Sequence, residues 1–235
     1  MGIAYGTTTN FQATAGVVQD GLVLNLDAGV KDSYNGGTTW HDLKKSNNGT
    51  LTNGPTFDSE RGGSIVVDGS DDLIHVPDSD DVSFDTFNNF TISIWCKLAT
   101  SQGSWKAIFA YSTSGSNIFT LQRNSSSSNI RMYRSGNNYE SLGNIFSNIF
   151  TGAWINLVLT YDSSSGTVCY VNNSSVGTTG AFTITGTSSP TLRILCERTN
   201  LSTEGEIATF AIYNKTLTTS EISRNYNVMR HRFGI

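Results

Sequence analysis

Gly205-Glu206-Ile207-Ala208-Thr209-Phe210-Ala211-Ile212-Tyr213-Asn214 reads as a strand, Lys215-Thr216-Leu217-Thr218 as a short turn, and Thr219 to Arg232 as a helix. Thr218 stands three positions before Glu221, the spacing of a capping box: the threonine oxygen accepts a free amide and the glutamate reaches back to the cap. Leu217 and Ile222 occupy the staple positions across that cap. Ile222, Tyr226 and Met229 recur at helical spacing and form one apolar stripe. Arg224, Arg230, His231 and Arg232 lie toward the negative end of the helix dipole, and Gly234 follows as a stop signal. No other segment reads as convincingly helical.

Working back from this ending, the chain reads as strands and turns. Gly21 to Asp27 alternates, with Leu22, Leu24 and Leu26 on one face and Val23 and Asn25 on the other. Lys31 to Asp58 reads as a long loop region punctuated by Asn35-Gly36-Gly37, Asn48-Gly49 and Asn53-Gly54-Pro55. Ser64–Asp68 and Leu73–Val76 are strands joined through Gly69-Ser70-Asp71-Asp72. Phe90–Leu98 is the strongest strand, setting Phe90, Ile92, Ile94 and Cys96 against Thr91, Ser93, Trp95 and Lys97. Further strands are expected at Lys106–Tyr111, Ile118–Arg123, Ile130–Arg134 and Leu192–Glu197. A hairpin is expected from Trp154–Tyr161 and Thr167–Asn172. Many strands with turn signals between them and one late helix predict a two-sheet antiparallel sandwich. The expected organisation is one domain over 19–235, preceded by an extended arm over 1–18 whose anchors are Phe11, Val17 and Val18.

A chain of 235 residues can build a sizeable core without staples. Charged residues make up only 14%, against about 25% in an average protein; Asn, Ser, Thr and Gly fill the gap. A net charge of −4 gives no reason to expect nucleic acid as a partner. The three cysteines, Cys96, Cys169 and Cys196, have no metal-site spacing and read as buried thiols. No basic start leads into an apolar run, and no stretch approaches the roughly 20 apolar residues of a membrane span. The expectation is a soluble chain made in a cytoplasm, with no membrane partner.

Several segments, taken together, resemble one family. They are Gly21–Gly29, Asn48-Gly49-Thr50-Leu51, Ile65–Ile74, Phe90–Trp95, Trp154-Ile155-Asn156-Leu157 and Ile212–Leu217, in the family's order. They look like the laminin G-like, concanavalin A-like jelly-roll superfamily and, more narrowly, its version in structural proteins of tailed bacteriophages, cyanobacterial ones included. The ending Asn225 to Ile235 is similar to the C-termini of such virion proteins. The resemblance implies an all-β jelly-roll sandwich with one short C-terminal helix. It also implies a non-enzymatic virion structural protein, foremost a capsid decoration protein on the particle exterior, with the major capsid protein or neighbouring subunits as partners. The alternative it offers is a carbohydrate-binding adhesin of a tail or fibre that recognises host surface polysaccharide. Two departures stand out: Ala208 occupies a position the family often makes acidic, and Leu43 to Asn47 replaces a glycine-rich stretch.

Asp68, Asp71, Asp72, Asp78, Asp80 and Asp81 form the densest run of charge. Closely spaced carboxylates can hold calcium, which takes about six to eight oxygens; the candidate ligands are Asp27, Asp68, Asp71 and Asp72. The same residues also fit turn chemistry, in which Asp side chains bond nearby amides. For catalysis, the carboxylate pairs of glycoside hydrolysis on one strand are missing, and Glu204-x-Glu206 is the nearest approach. His41, His75 and His231 are isolated from one another, and His75 alternates with Ile74 and Val76 as an outward strand residue. No enzyme is expected. Trp105, Tyr111, Tyr133 and Tyr139 are candidates for stacking on sugar rings. Phe11, Val17, Arg230, Arg232, Phe233 and Ile235 are candidates for contacts with neighbouring subunits, since an apolar free terminus otherwise lacks a partner.

Overall fold

The computed structural model describes residues 16–113, 116–123, 130–134, 139–141 (backbone), 149–186, 189–197 and 201–235. In chain order the strands are β1 (Leu22–Asp27), β2 (Thr39–Trp40), β3 (Gly49–Thr52), β4 (Thr56–Asp58), β5 (Ser64–Asp68), β6 (Leu73–Pro77), β7 (Asn89–Leu98) and β8 (Ala107–Ser112). They continue with β9 (Asn117–Arg123), β10 (Ile130–Arg134), β11 (Tyr139–Ser141), β12 (Trp154–Asp162), β13 (Gly166–Val171), β14 (Ser174–Thr178), β15 (Thr191–Ile194) and β16 (Glu204–Tyr213). One α-helix, α1 (Thr219–Phe233), closes the chain.

The strands form two antiparallel sheets. The first runs β14-β13-β12-β7-β16-β5-β4, with β1 beside the second half of β16. The second runs β11-β10-β9-β8-β15-β6-β3-β2. This is the expected all-β jelly-roll sandwich. The facing sides of the sheets bury Leu24, Leu26, Phe90, Ile92, Ile94 and Phe210 from the first sheet against Ile74, Val76, Phe109, Tyr111, Phe119 and Ile194 from the second. Cys96, Cys169 and Cys196 are free and buried, and burial pushes their thiols up to about 12, 12 and 11.

The long region Lys31 to Asp58, read as loop, contains β2, β3 and β4. β11 and β14 were also unexpected. These strands are short or rich in Gly, Ser and Thr, so their pairing comes from neighbouring strands and not from an apolar period of their own. β1 departs from simple alternation. A register shift lies between Leu22 and Leu24, and it turns Leu22 toward α1 while Val23 joins Leu24 and Leu26 in the core.

α1 packs on the outer face of the first sheet. Glu221 N donates to Thr218 Oγ1 at 3.3 Å and Thr218 N to Glu221 Oε2 at 2.8 Å, completing the capping box. Gly234 ends the helix in the left-handed conformation (φ 75°), where its missing Cβ avoids strain. The buried stripe is Ile222, Asn225, Met229 and Phe233. Asn225 is a buried polar member, donating to Tyr213 Oη at 3.0 Å and accepting from Val18 N at 2.8 Å.

Candidate functional site

A two-sheet sandwich has two outer faces, and α1 takes one of them. Phe233 stacks on Trp95 (ring centroids 4.2 Å, 13° between planes) and meets Trp154 at 4.8 Å. Arg232 is 5% exposed and donates to Asp27 Oδ1 at 2.7 Å, and to the carbonyls of Arg61 and Gly63. Arg232 and Phe233 are therefore not assembly contacts: the outer face of the first sheet presents Asp27, Trp95 and Trp154 to them within the same chain. Val17, also expected at an interface, packs on the same cluster. Of the other assembly candidates, Arg230 is half-buried and Ile235 is 38% exposed. Phe11 lies outside the described residues. The cavity left beneath α1, lined by Asn25, Asp27, Ser93, Thr209 and Asn225 among others, measures about 30 Å³ and has room only for water.

No helix covers the outer face of the second sheet among the described residues. Directly paired residues of an antiparallel sheet share a face, so the ladder registers trace one row across all eight strands. The row is Thr39, Thr50, His75, Arg193, Ala110, Thr120, Tyr133 and Tyr139. Thr50 is exposed, and Thr39, His75 and Arg193 are half-buried. Ala110 and Thr120 are fully buried and Tyr133 is 9% exposed. A second row sets Ser141, Arg131, Gln122 and Ala107 side by side. Trp105 lies at its end, with the Arg131 guanidinium 5.4 Å from its ring centre. Gln122 is 1% exposed, and its Oε1 accepts no hydrogen bond.

Trp105 is 38% exposed and holds φ at 63°. A bulky side chain in that region is unusual and costs conformational energy. Arg193 Nη1 donates to Ser112 Oγ at 2.9 Å and to Ser112 O at 3.2 Å. His75, opposite Arg193, is pushed below its ordinary range by burial and, secondarily, by the Arg193 charge.

The four aromatic candidates therefore separate. Trp105 and Tyr133 share the open face, and Tyr139 pairs with Tyr133 in the ladder, its side chain lying outside the described residues. Tyr111 is on the wrong side of the sheet. Phe109 and Tyr111 point inward while Ala110 points out, and Tyr111 is fully buried against Phe84. Its hydroxyl donates to Asp78 at 2.8 Å, and burial raises its pKa far above the ordinary value. Sequence reasoning did not single out Arg193, Gln122 or Thr120. The one available signal was Arg193, a charge alternating with Leu192 and Ile194.

The candidate metal ligands also separate. Carboxylate oxygens of Asp68, Asp71 and Asp72 come within 4.8 Å of one another. Asp27 is not among them; it lies opposite Thr209, whereas Asp68 lies opposite Glu204, and its carboxylate is ion-paired with Arg232. Within the trio, Asp68 Oδ1 accepts from Ser70 N at 2.8 Å and Asp72 Oδ2 from Asp68 N at 2.9 Å. Burial, more than the neighbouring carboxylates, pushes the Asp72 carboxyl up. Beside them Lys106 Nζ donates to Gly69 O at 2.8 Å and Ser202 O at 2.6 Å. Burial lowers the Lys106 pKa against the pull of Asp68 and Glu204. Two carboxylates thus build the turn and an ammonium supplies the counter-charge, so the trio fits turn chemistry better than a calcium cage.

No helix among the described residues is long and apolar enough to cross a membrane. No curated protein matches this sequence. Among solved structures, the fold is similar to the receptor-binding domain of botulinum neurotoxin C/D mosaic serotype, at 16% identity and a TM-score of 0.70, covering 89% of this chain and 52% of that one. It is equally similar to the binding domain of Paraclostridial Mosquitocidal Protein 1 (16% identity, TM-score 0.70, 88% and 52%). Trypanosoma rangeli sialidase in complex with sialic acid follows at 15% identity and a TM-score of 0.64, covering 88% of this chain and 32% of that one. The chain thus spans about half the length of the two binding domains and a third of the sialidase. Residues 68–223, from the Asp68 turn into α1 and more than half of the chain, match a family in their own sequence. That match and the two antiparallel sheets agree: the chain belongs to the concanavalin A-like lectin/glucanases superfamily.

Proposed function

We propose that this chain is a non-enzymatic module that binds glycan on the outer face of the second sheet, displayed on a tailed-bacteriophage particle with host surface polysaccharide as its ligand. The observation that carries the reading is the in-register row of hydroxyl, imidazole and guanidinium groups on a face that no helix among the described residues occupies, with Trp105 exposed at its margin. Hydroxyls and planar donors match sugar hydroxyls, and an indole face matches the apolar face of a sugar ring. Botulinum neurotoxin relatives of this fold lend support: one binding domain was solved in complex with SialylT, and cell entry of type C is described as dependent on two ganglioside molecules. A non-catalytic role is favoured by Glu204 and Glu206, which sit in the other sheet. Glu206 is held by Lys97 at 2.7 Å and by Ser64 at 3.0 Å.

Display is favoured by where the chain enters the domain. Gly16 O accepts from Arg224 Nε at 2.9 Å, and Val18 is bonded to Asn225, so entry is on the α1 side. The row lies on the opposite outer face, and a module attached through that entry presents the row outward. This geometry serves an adhesin and a capsid decoration protein alike. The similarity of the C-terminal segment to virion proteins supports decoration, with the major capsid protein as partner. The glycan reading is tested by affinity electrophoresis of the full chain through gels containing soluble host polysaccharide. Retardation is expected, weakened about fivefold by Trp105→Ala, the equivalent of ~1 kcal/mol for one stacking contact. Mobility unchanged by polysaccharide would overturn the reading. Immunogold labelling of particles reports the location: labelling over the head supports decoration, labelling at the tail supports an adhesin, and unlabelled particles refute display.

A further inference from the structure

We infer that the ligand of this face is anionic: a glycan carrying carboxylate or sulfate groups, bound through Arg193 with His75 beside it. The inference rests on the glycan reading above and names the class of glycan.

Arg193 stands in mid-row, half-buried, on β15. Its two hydrogen bonds to Ser112 both use Nη1 and tie the guanidinium to β8. Among the described residues, Nε and Nη2 meet no acceptor and Arg193 has no ion-pair partner. Other cations of the chain have carboxylate partners. Arg232 is matched by Asp27, Lys97 by Glu206, and Lys215 by both Asp20 and Glu221. Acidic residues outnumber basic ones, 19 to 15, so a carboxylate was not in short supply. A carboxylate that does approach this face, Glu197, is engaged by Asn117 Nδ2 at 3.2 Å.

A partly buried guanidinium without a counter-charge bears a desolvation cost that a bound anion relieves. The planar fork also suits carboxylate and sulfate oxygens, which it can meet with two parallel bonds. The neighbours complete the site. His75 lies directly opposite Arg193, and burial together with the arginine keeps it from sharing the positive charge at neutral pH. It is therefore a neutral donor and acceptor for a sugar hydroxyl. Thr50, opposite His75, and Thr191, two residues before Arg193 on the same face, add hydroxyls. Arg131 against Trp105 places a second cation on the same face, beside the aromatic surface.

The test measures retention of the full chain by affinity electrophoresis on two matched pairs of polymers: polygalacturonate with its carboxyl-reduced form, and dextran sulfate with dextran. The charged member of at least one pair is expected to bind at least about tenfold more tightly than its neutral counterpart. Which pair shows the difference identifies carboxylate or sulfate. Arg193→Gln is expected to abolish the difference and Arg193→Lys to keep part of it. Arg193→Lys also supplies the reading if the glutamine variant fails to fold, judged by its melting curve. Equal binding of charged and neutral polymers, unaffected by Arg193→Gln, overturns the anionic assignment and leaves the glycan reading standing. Retention of none of these polymers, nor of host polysaccharide, overturns both.

Discussion

Replacing Arg232 by methionine would leave the Asp27 carboxylate 2% exposed with its cation removed. Three bonds are lost together: Nη1 to Asp27 Oδ1 at 2.7 Å, Nε to Arg61 O at 2.7 Å and Nη2 to Gly63 O at 2.6 Å. Asp27 keeps only the Gly29 amide, at 2.9 Å, on that oxygen. Methionine fills much of the volume, so the cost is electrostatic and not a cavity. Breaking one side of a buried pair costs about 3–5 kcal/mol. For a chain of this size each kcal/mol moves the melting temperature by about 2–4 °C, so a fall of about 10 °C is expected. The assay is thermal denaturation followed by circular dichroism, at neutral pH and at two salt concentrations, since a buried pair is weakly screened. Adding Asp27→Asn to the variant removes the orphaned charge while keeping an acceptor for the Gly29 amide, and it is expected to recover about half of the loss. A melting temperature within about 2 °C of the parent would refute the reasoning. It would mean that solvent reaches the pair and that α1 is held by its aromatic stripe alone.

Thr218→Ala removes one half of the capping box and should cost about 1 kcal/mol, seen as a urea midpoint shift with unchanged slope; no shift would mean that Thr216 and Leu217 fix the helix start without the cap. Glu221 is held below the ordinary carboxylate range, first by Lys215 and then by the Thr218 amide, while Lys215 is raised by Asp20 and Glu221. A depressed carboxylate contributes stability above its unfolded value of 4.5 and loses it as pH falls through the folded value. A raised lysine contributes below 10.5 and loses it as pH rises past its folded value. Glu221→Gln should therefore flatten the acid limb of a urea-midpoint profile and part of the alkaline limb; an unchanged acid limb contradicts the assignment. Millimolar calcium or a chelator should move the melting temperature by less than about 1 °C, because the Asp68–Asp72 carboxylates serve the turn and Lys106 balances them; a clear rise with calcium would show that the trio takes an ion.

The helix and its caps were legible because their signals are local: Thr218, Glu221 and Gly234 act within a turn of the residues they serve. The long strands β7, β12 and β16 were legible for the same reason, each carrying its own alternation. β2, β3, β4, β11 and β14 were not, because strands of two to five residues are defined by the neighbour they pair with. The same limit explains the errors at the C-terminus. Arg232 and Phe233 read as groups in need of a partner, which was correct physically. The partners, Asp27, Trp95 and Trp154, are 79 to 205 residues away, and only the registers of β16 against β1 and β7 and of β12 against β7 bring them to one face. Tyr111 shows the converse. An aromatic in a strand can face either way, and the side is fixed by the neighbours Phe109 and Ala110 once the sheet is known.

The two outer faces of the sandwich differ in how their polar groups are satisfied. Both outer faces carry polar residues: Asn25, Asp27, Ser93 and Thr209 on the first, Thr50, His75, Thr120 and Arg193 on the second. On the first, each principal group is answered from within the chain. Arg232 neutralises Asp27, Asn225 satisfies Tyr213 and Val18, and Phe233 covers Trp95. On the second, among the described residues, Arg193 bonds through Nη1 alone and Gln122 keeps a buried acceptor unanswered. Polar groups removed from water without partners cost free energy comparable to a lost hydrogen bond. Such groups on the second face are ones that the proposed ligand would answer. The closing helix thus bears on the proposed function indirectly: it covers the outer face of the first sheet, and the proposed glycan site lies on the other.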